Sequence, residues 1–271
     1  MMRALWTAAS GMNTQQTHVD TIANNLSNIN TAGYKTEKAE FKTLLYQNLQ
    51  SQSTNTNGEK KPVSAQVGLG ARMASITSNF QQGSLNETGQ FMDWAIEGSG
   101  FYKVQTTGGE VKYTRNASFS LSVTDQGSMV TTSEGFPVLD VNNNPMIIPN
   151  DYTSSSLSIT NDGKLYAKNA QNELVDLGIQ VGLVQFANPA ALEKTGNSLF
   201  EVTDNSGQPM EETQNATLKR SVIHQNYIEA SNVNAADEMV NLIVAQRAYE
   251  MNSKAIQASD TMMQQANNLR S

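Results

Sequence analysis

The sequence predicts a mainly β protein bracketed by two long helices that pair as a coiled coil. Three observations carry this. Apolar residues recur at alternating gaps of three and four near the start of the chain. The same heptad spacing returns near its end. Between the two, the pattern switches to period two and is punctuated by glycine-bearing turns.

The first helix is expected from Arg3 to Asn30. Its stripe is Leu5, Ala8, Met12, Gln15, Val19, Ile22, Leu26 and Ile29, an a/d seam with one polar intruder, Gln15. No proline interrupts it, and Gly33 supplies a stop, because glycine enters the left-handed region freely. At about 1.5 Å per residue the helix is roughly 40 Å long.

The last helix is expected to start at Asn234, with Asn234 as its cap and Asp237 and Glu238 favouring the positive end of the dipole. One stripe is Val244, Ala248, Met251, Ala255, Ala258, Met262, Gln265 and Leu269. A second, Leu242, Tyr249, Ile256 and Met263, recurs every seven residues on an adjacent face. Two apolar stripes require two sets of neighbours. The first helix can supply one. The other comes from outside the chain, since no third long helix is present. A two-helix coiled coil resting on a globular domain is the alternative. Glu250 and Lys254, four apart, are expected to pair weakly, by about 0.3–0.5 kcal/mol. The candidate interaction residues are therefore Leu5, Met12, Val19, Ile22, Leu26 and Ile29, with Leu242, Val244, Tyr249, Met251, Ile256, Met262, Met263 and Leu269.

Domain boundaries follow from these changes of pattern. Residues 1–33 form the first helix, 34–70 an extended arm or linker, 71–228 a β-rich central domain, and 229–271 the last helix. The stretch from Gln50 to Gln66 is dominated by Ser, Thr, Asn and Lys, which reads as a loop or extended excursion. Phe119, Leu121 and Val123 alternate with serines, giving a strand with one buried face. Asp125-Gln126-Gly127 makes a turn, and Asn161-Asp162-Gly163 signals a hairpin between Leu157–Ile159 and Lys164–Tyr166. Ile179, Val181 and Leu183 alternate again, and Pro189 opens a helical turn.

Composition narrows the function. The chain has 271 residues, no cysteine, two histidines and a net charge of −7. Thiolate and disulfide chemistry are absent, and the acidic balance argues against nucleic acid or an anionic membrane as partner. Only 38% of residues are apolar, so the core is thin for the length and burial is completed against neighbours. No run of about 18 apolar residues occurs, and the N-terminus lacks a secretory core. From the residues alone the protein would be cytosolic.

The chain presents no catalytic constellation. Gly98-Ser99-Gly100 lacks the lysine and the helix of a phosphate loop and reads as a tight turn. His18 and His224 lie outside any ligand-spaced cluster. No Gly-x-Ser-x-Gly elbow occurs. The protein is expected to be no enzyme and to take no cofactor or metal.

The residues at both ends resemble the flagellar rod and hook family. At the start, the matching motifs are Ala8-Ala9-Ser10-Gly11-Met12 and Ile22-Ala23-Asn24-Asn25-Leu26 through Ala32-Gly33-Tyr34-Lys35. At the end they are Ser231-Asn232-Val233-Asn234 and Ala245-Gln246-Arg247-Ala248-Tyr249 through Ile256. Phe80-Gln81-Gln82-Gly83-Ser84-Leu85, Ile96-Glu97-Gly98-Ser99-Gly100-Phe101, Tyr113-Thr114-Arg115 and Glu134-Gly135-Phe136-Pro137 match in the middle. Within the family, Met1-Met2-Arg3-Ala4-Leu5-Trp6 and the overall length are most similar to distal-rod members. Proximal-rod members are the alternative, and a surface binding module on a coiled-coil stalk is the rival of a different class.

The resemblance implies a helical homopolymer whose terminal helices line a hollow drive shaft, with the β domain as the outer layer. It implies torque transmission and a channel for exported subunits. The implied partners are further copies of the chain, proximal-rod and hook or hook-like axial proteins, the flagellar export apparatus and outer ring proteins. It also implies export without a cleaved signal to the basal body outside the cytoplasmic membrane, which replaces the cytosolic reading. The 46–66 region becomes an arm that contacts adjacent subunits.

Overall fold

The computed structural model describes residues 2–50, 65–125, 127–150, 152–169, 173–215 and 217–269. They form two units. A helical unit comprises Met1–Ser27, Glu37–Thr77 and Asn234–Ser271, and a β unit comprises Asn28–Thr36 and Ser78–Val233.

The helical unit contains α1 (Met2–Ser27) and α2 (Ala235–Asn268). α1 stops three residues short of the expected Asn30, which leaves Ile29 beyond the helix. The cause is local. The Thr31 hydroxyl donates to Asn28 Oδ1 at 3.1 Å and the Thr31 amide to Asn28 O at 3.2 Å, bonds that compete with another helical turn. α2 begins where its cap predicts: Asn234 Oδ1 accepts from the Ala236 amide at 3.1 Å, with Asp237 and Glu238 in the first turn. Glu250 takes its hydrogen bond from Arg247, one turn back at 2.9 Å, rather than from Lys254. The helices run antiparallel. Gly11 sits against Asn252, while Gln16 and Val19 share a groove with Gln246 and Tyr249.

Two strand pairs complete this unit. Glu37–Thr43 lies beside Ala71–Ser78. Tyr46–Gln50 pairs antiparallel with Ala65–Gly68, in register Tyr46↔Gly68, Gln47↔Val67 and Asn48↔Gln66. The flanks of the stretch read as an arm are thus a ladder, and Tyr46 and Val67 are residues suited to a pleated surface. Residues 51–64, the rest of the expected arm, lie outside the described residues.

The β unit is built on a six-stranded sheet. Its order is Glu193–Gly196, Leu199–Glu201, Val111–Thr114, Phe101–Gln105, Leu183–Gln185 and Met210–Glu211. Three-stranded sheets form from Phe119–Thr124, Gly127–Thr132 and Ile147–Ile148, and from Leu157–Ile159, Lys164–Lys168 and Leu174–Gln180. Successive side chains of a strand point to opposite faces, and Phe101–Gln105 buries both. Tyr102 and Val104 join a cluster with Trp94, Val130, Ile148, Leu165 and Ile223. Phe101 faces Tyr113, Phe186 and Phe200 in a second cluster. There, edge-to-face rings have centroids 4.9 Å (Tyr113–Phe186) and 5.5 Å (Phe101–Phe186) apart.

The hairpin at Asn161-Asp162-Gly163 forms as its residues predict, with Gly163 at φ +80°. Pro189–Ala191 is a single 3-10 turn. The run Ile179–Leu183 is not one strand. The Leu174–Gln180 strand stops before Gly182, whose backbone passes so close to Asp140 that a Cβ would sit 2.5 Å from Asp140 O. Leu183 then starts another strand in another sheet. Along Phe119–Thr124, burial fades from Phe119 at 5% exposure to Val123 at 79%, so Phe119 and Leu121 reach the core and the far end of the strand does not.

Candidate assembly surface

The helical unit has almost no core of its own. Its buried apolar side chains, among the described residues, are Ala8, Ile22 and Ala245. The other buried groups are polar: Thr14, Thr21, Asn25, Glu238 and Ser259. Thr14 and Thr21 turn their hydroxyls back onto the carbonyls of Gly11 and Thr17. Asn25 donates to Glu37 O and accepts from Glu37 N, both at 2.8 Å, which ties the end of α1 to the first strand. Conversely, among the described residues, eighteen of the twenty-three large apolar side chains that remain exposed belong to this unit.

The two stripes of α2 have different fates. Leu242, Ile256 and Met263 are half-buried on the side of Ala245 and Ser259, and Tyr249 edges the groove beside α1. Val244 and Met251, two residues on from Leu242 and Tyr249, lie about 160° around the helix, and with Met262 they are 61%, 64% and 50% exposed. Leu269, at the end of the stripe, is also exposed. Met239, Val240 and Ile243 extend the apolar surface at the start of α2. On α1, Leu5, Met12, Val19 and Leu26 are half-buried and Ile22 is buried, so the stripe read from the sequence is the inward one. Trp6 stands off that stripe at 73% exposure. Sequence spacing missed Trp6 because it repeats no heptad position. It missed the burial of Glu238, Asn25 and Ser259 because polar residues carry no weight in an apolar pattern.

Among the described residues, neither histidine joins a cluster of metal-ligating side chains. His18 packs edge-on against Phe41, with centroids 5.5 Å apart, and His224 pairs with Glu97 at 2.7 Å. Gly98 and Gly100 frame a turn against Ser221, with Gly98 at φ +135° and the Gly100 amide donating to Ser221 Oγ at 2.9 Å.

A buried charge cluster lies in the β unit. Lys35 Nζ lies 2.6 Å from Glu229 Oε1, and Arg115 Nη1 3.4 Å from Glu229 Oε2. Burial holds the Lys35 ammonium below its usual range, and the Glu229 carboxylate acts against that shift. Burial also pushes the Tyr102 phenol, which donates to Trp94 O, well above its usual range.

Three stretches match families of flagellar axial proteins. Residues 5–35 match the family described as flagella basal body rod protein. Residues 95–167 match the flagellar hook protein FlgE/F/G D1 domain, and residues 224–269 the flagellar basal body rod FlgEFG protein C-terminal family. Among curated proteins, the chain is 44% identical to the flagellar basal-body rod protein FlgG of Borreliella burgdorferi over 272 residues, covering 100% of this chain and 99% of that one. It is 35% identical to FlgG of Bacillus subtilis over the whole of both chains. Against the hook-basal body complex protein FlhP of the same bacterium it is 32% identical over the whole of both. With that similarity running from end to end, the chain belongs to the FlgG family of flagellar basal-body rod proteins, structural components of the bacterial flagellar rod.

Proposed function

We propose that this chain polymerises into the distal part of the rod, a hollow helical shaft in which α1 and α2 pack as coiled coils with the helices of neighbouring copies. One observation carries the reading. Among the described residues, the helical unit buries three apolar side chains and leaves a continuous stripe, Val244–Met251–Met262, uncovered. Exposed apolar area of this extent on a helix marks an interaction face. A heptad stripe accepts another helix at close range.

The work of such a subunit is mechanical. Torque passes through side-chain contacts, so many short apolar contacts serve better than a few ion pairs. The bore conducts later subunits, and the chain itself leaves the cell through the flagellar export apparatus to stand outside the cytoplasmic membrane. Proximal-rod and hook-like axial proteins meet the two ends of the polymer. Residues 46–66 act as an arm between adjacent copies.

Electron microscopy of concentrated full-length protein tests this, with straight hollow tubes as the expected result. Removing the residues after Val233 takes away α2 and keeps every member of both β-unit clusters, so that variant is expected to remain soluble and form no tubes. Tubes from the truncated chain, or a full-length protein that stays monomeric when concentrated, would overturn the reading.

A further inference from the structure

Sequence motifs far apart in the chain meet in the β unit at one carboxylate. Glu229 Oε1 accepts from Lys35 Nζ at 2.6 Å and from the Gly83 amide at 2.9 Å, while Oε2 faces Arg115. Its backbone carbonyl accepts from the Gly33 amide at 2.8 Å. Lys35 Nζ also donates to Gln81 O at 2.7 Å, and Arg115 Nη2 to Gly98 O at 2.6 Å. Three residues on, Asn232 repeats the arrangement. Its Oδ1 accepts from the Thr36 amide at 2.7 Å and hydroxyl at 2.6 Å, and its Nδ2 donates to Asn79 O and Gln81 O. Segments 33–36, 79–83 and 229–232 are thereby stitched by two side chains.

The chemistry makes this joint all-or-none. The three charged side chains are 0%, 1% and 2% exposed. If the carboxylate is removed, two cations are left buried, and breaking such a pair is among the severest single losses in a protein. The partners are also 194 residues apart in sequence. Closing a loop of that length is entropically demanding, and contacts of this kind form late.

We propose that Glu229 is the closing latch of the β unit. It forms last, and its release frees segments 33–36 and 229–232 together while the Trp94 cluster stays packed. These segments follow α1 and precede α2 in the chain. A chain that lacks the residues beyond Gln225 carries Lys35 and Arg115 without Glu229, and its segment 33–36 stays unfastened. The latch belongs to the free subunit and does not depend on polymer formation.

Hydrogen exchange read by mass spectrometry on full-length protein tests it, with wild type compared to Glu229→Gln. Exchange in 33–36, 79–83 and 229–232 is expected to rise together by about a hundredfold or more, with peptides from 101–105 and 127–132 unchanged. No change, or unequal changes in the three segments, overturns the latch. If Glu229→Gln does not fold, Lys35→Gln is measured in the same way, because Arg115 still faces Glu229 there. Loss of protection throughout the unit in both variants shows ordinary core residues and also overturns it.

Discussion

Replacing Val244 and Met251 together by aspartate is expected to abolish assembly while leaving the free subunit folded. The two side chains lie seven residues apart on α2 and are 61% and 64% exposed. Burying a side chain of this size completely contributes about 1.5–3 kcal/mol. With more than half of each still in water, about 1–2 kcal/mol per residue remains to be gained from a neighbour. The pair therefore accounts for about 2–4 kcal/mol per subunit, or roughly 30- to 1,000-fold in the concentration at which polymer appears. Desolvating two carboxylates adds to the loss. In the free subunit the same exchange is a surface substitution, within about 0.5 kcal/mol per site. Sedimentation of polymer across a concentration series measures the first number, and a circular-dichroism melt the second. Gln257→Asp, on the far side of α2, is the control. A critical concentration within about threefold of wild type would refute the assignment of this stripe to an interface.

Other consequences lie in the β unit. Gly33 has φ +69°, and a Cβ there would stand 2.7 Å from the Arg115 carbonyl, so Gly33→Ala is expected to cost at least about 2 kcal/mol in chemical denaturation. An unaltered midpoint would show that the turn relaxes freely. Alkaline stability follows from Tyr102 and Tyr113, both raised by burial. Their folded values lie above the unfolded 10.0, so their contribution is complete below pH 10 and declines above it by up to about 1.4 kcal/mol per pH unit for each tyrosine. Lys35 has the opposite sign. Its folded value lies below 10.5, so stability from this group rises with pH up to about 10.5 and then levels. Above that pH the tyrosines act unopposed, and Tyr102→Phe is expected to flatten the decline in pH-dependent denaturation. An equal slope in the variant would assign the decline to other groups.

How much was legible depended on the kind of signal. The helices were readable because heptad spacing and an Asn cap are local, and the Asn234–Ala236 bond is the one the sequence announces. The hairpin at Asn161-Asp162-Gly163 was readable for the same reason. The end of α1 was not, because Thr31 and Asn28 settle it through side-chain bonds that periodicity does not register. Nor was the break at Gly182, which a passing backbone imposes from Asp140. Of the surface, the two stripes of α2 could be listed but not ranked. Only the position of α1 shows that Leu242 and Ile256 face inward while Val244 and Met251 do not. The Lys35–Glu229 pair was out of reach, since nothing local connects residues 194 apart.

The molecule's two tryptophans divide between its units, and they give it a built-in pair of optical reporters. Trp94 is wholly enclosed, with its indole N–H donating to Phe91 O at 2.9 Å, whereas Trp6 projects into solvent from α1. Trp94 emission therefore tracks unfolding of the β unit and is silent to association. Trp6 emission reports whatever comes to cover the start of α1. In Trp6→Phe and Trp94→Phe variants, one fluorimeter can time folding and assembly separately, with no dye attached to a surface that assembly requires.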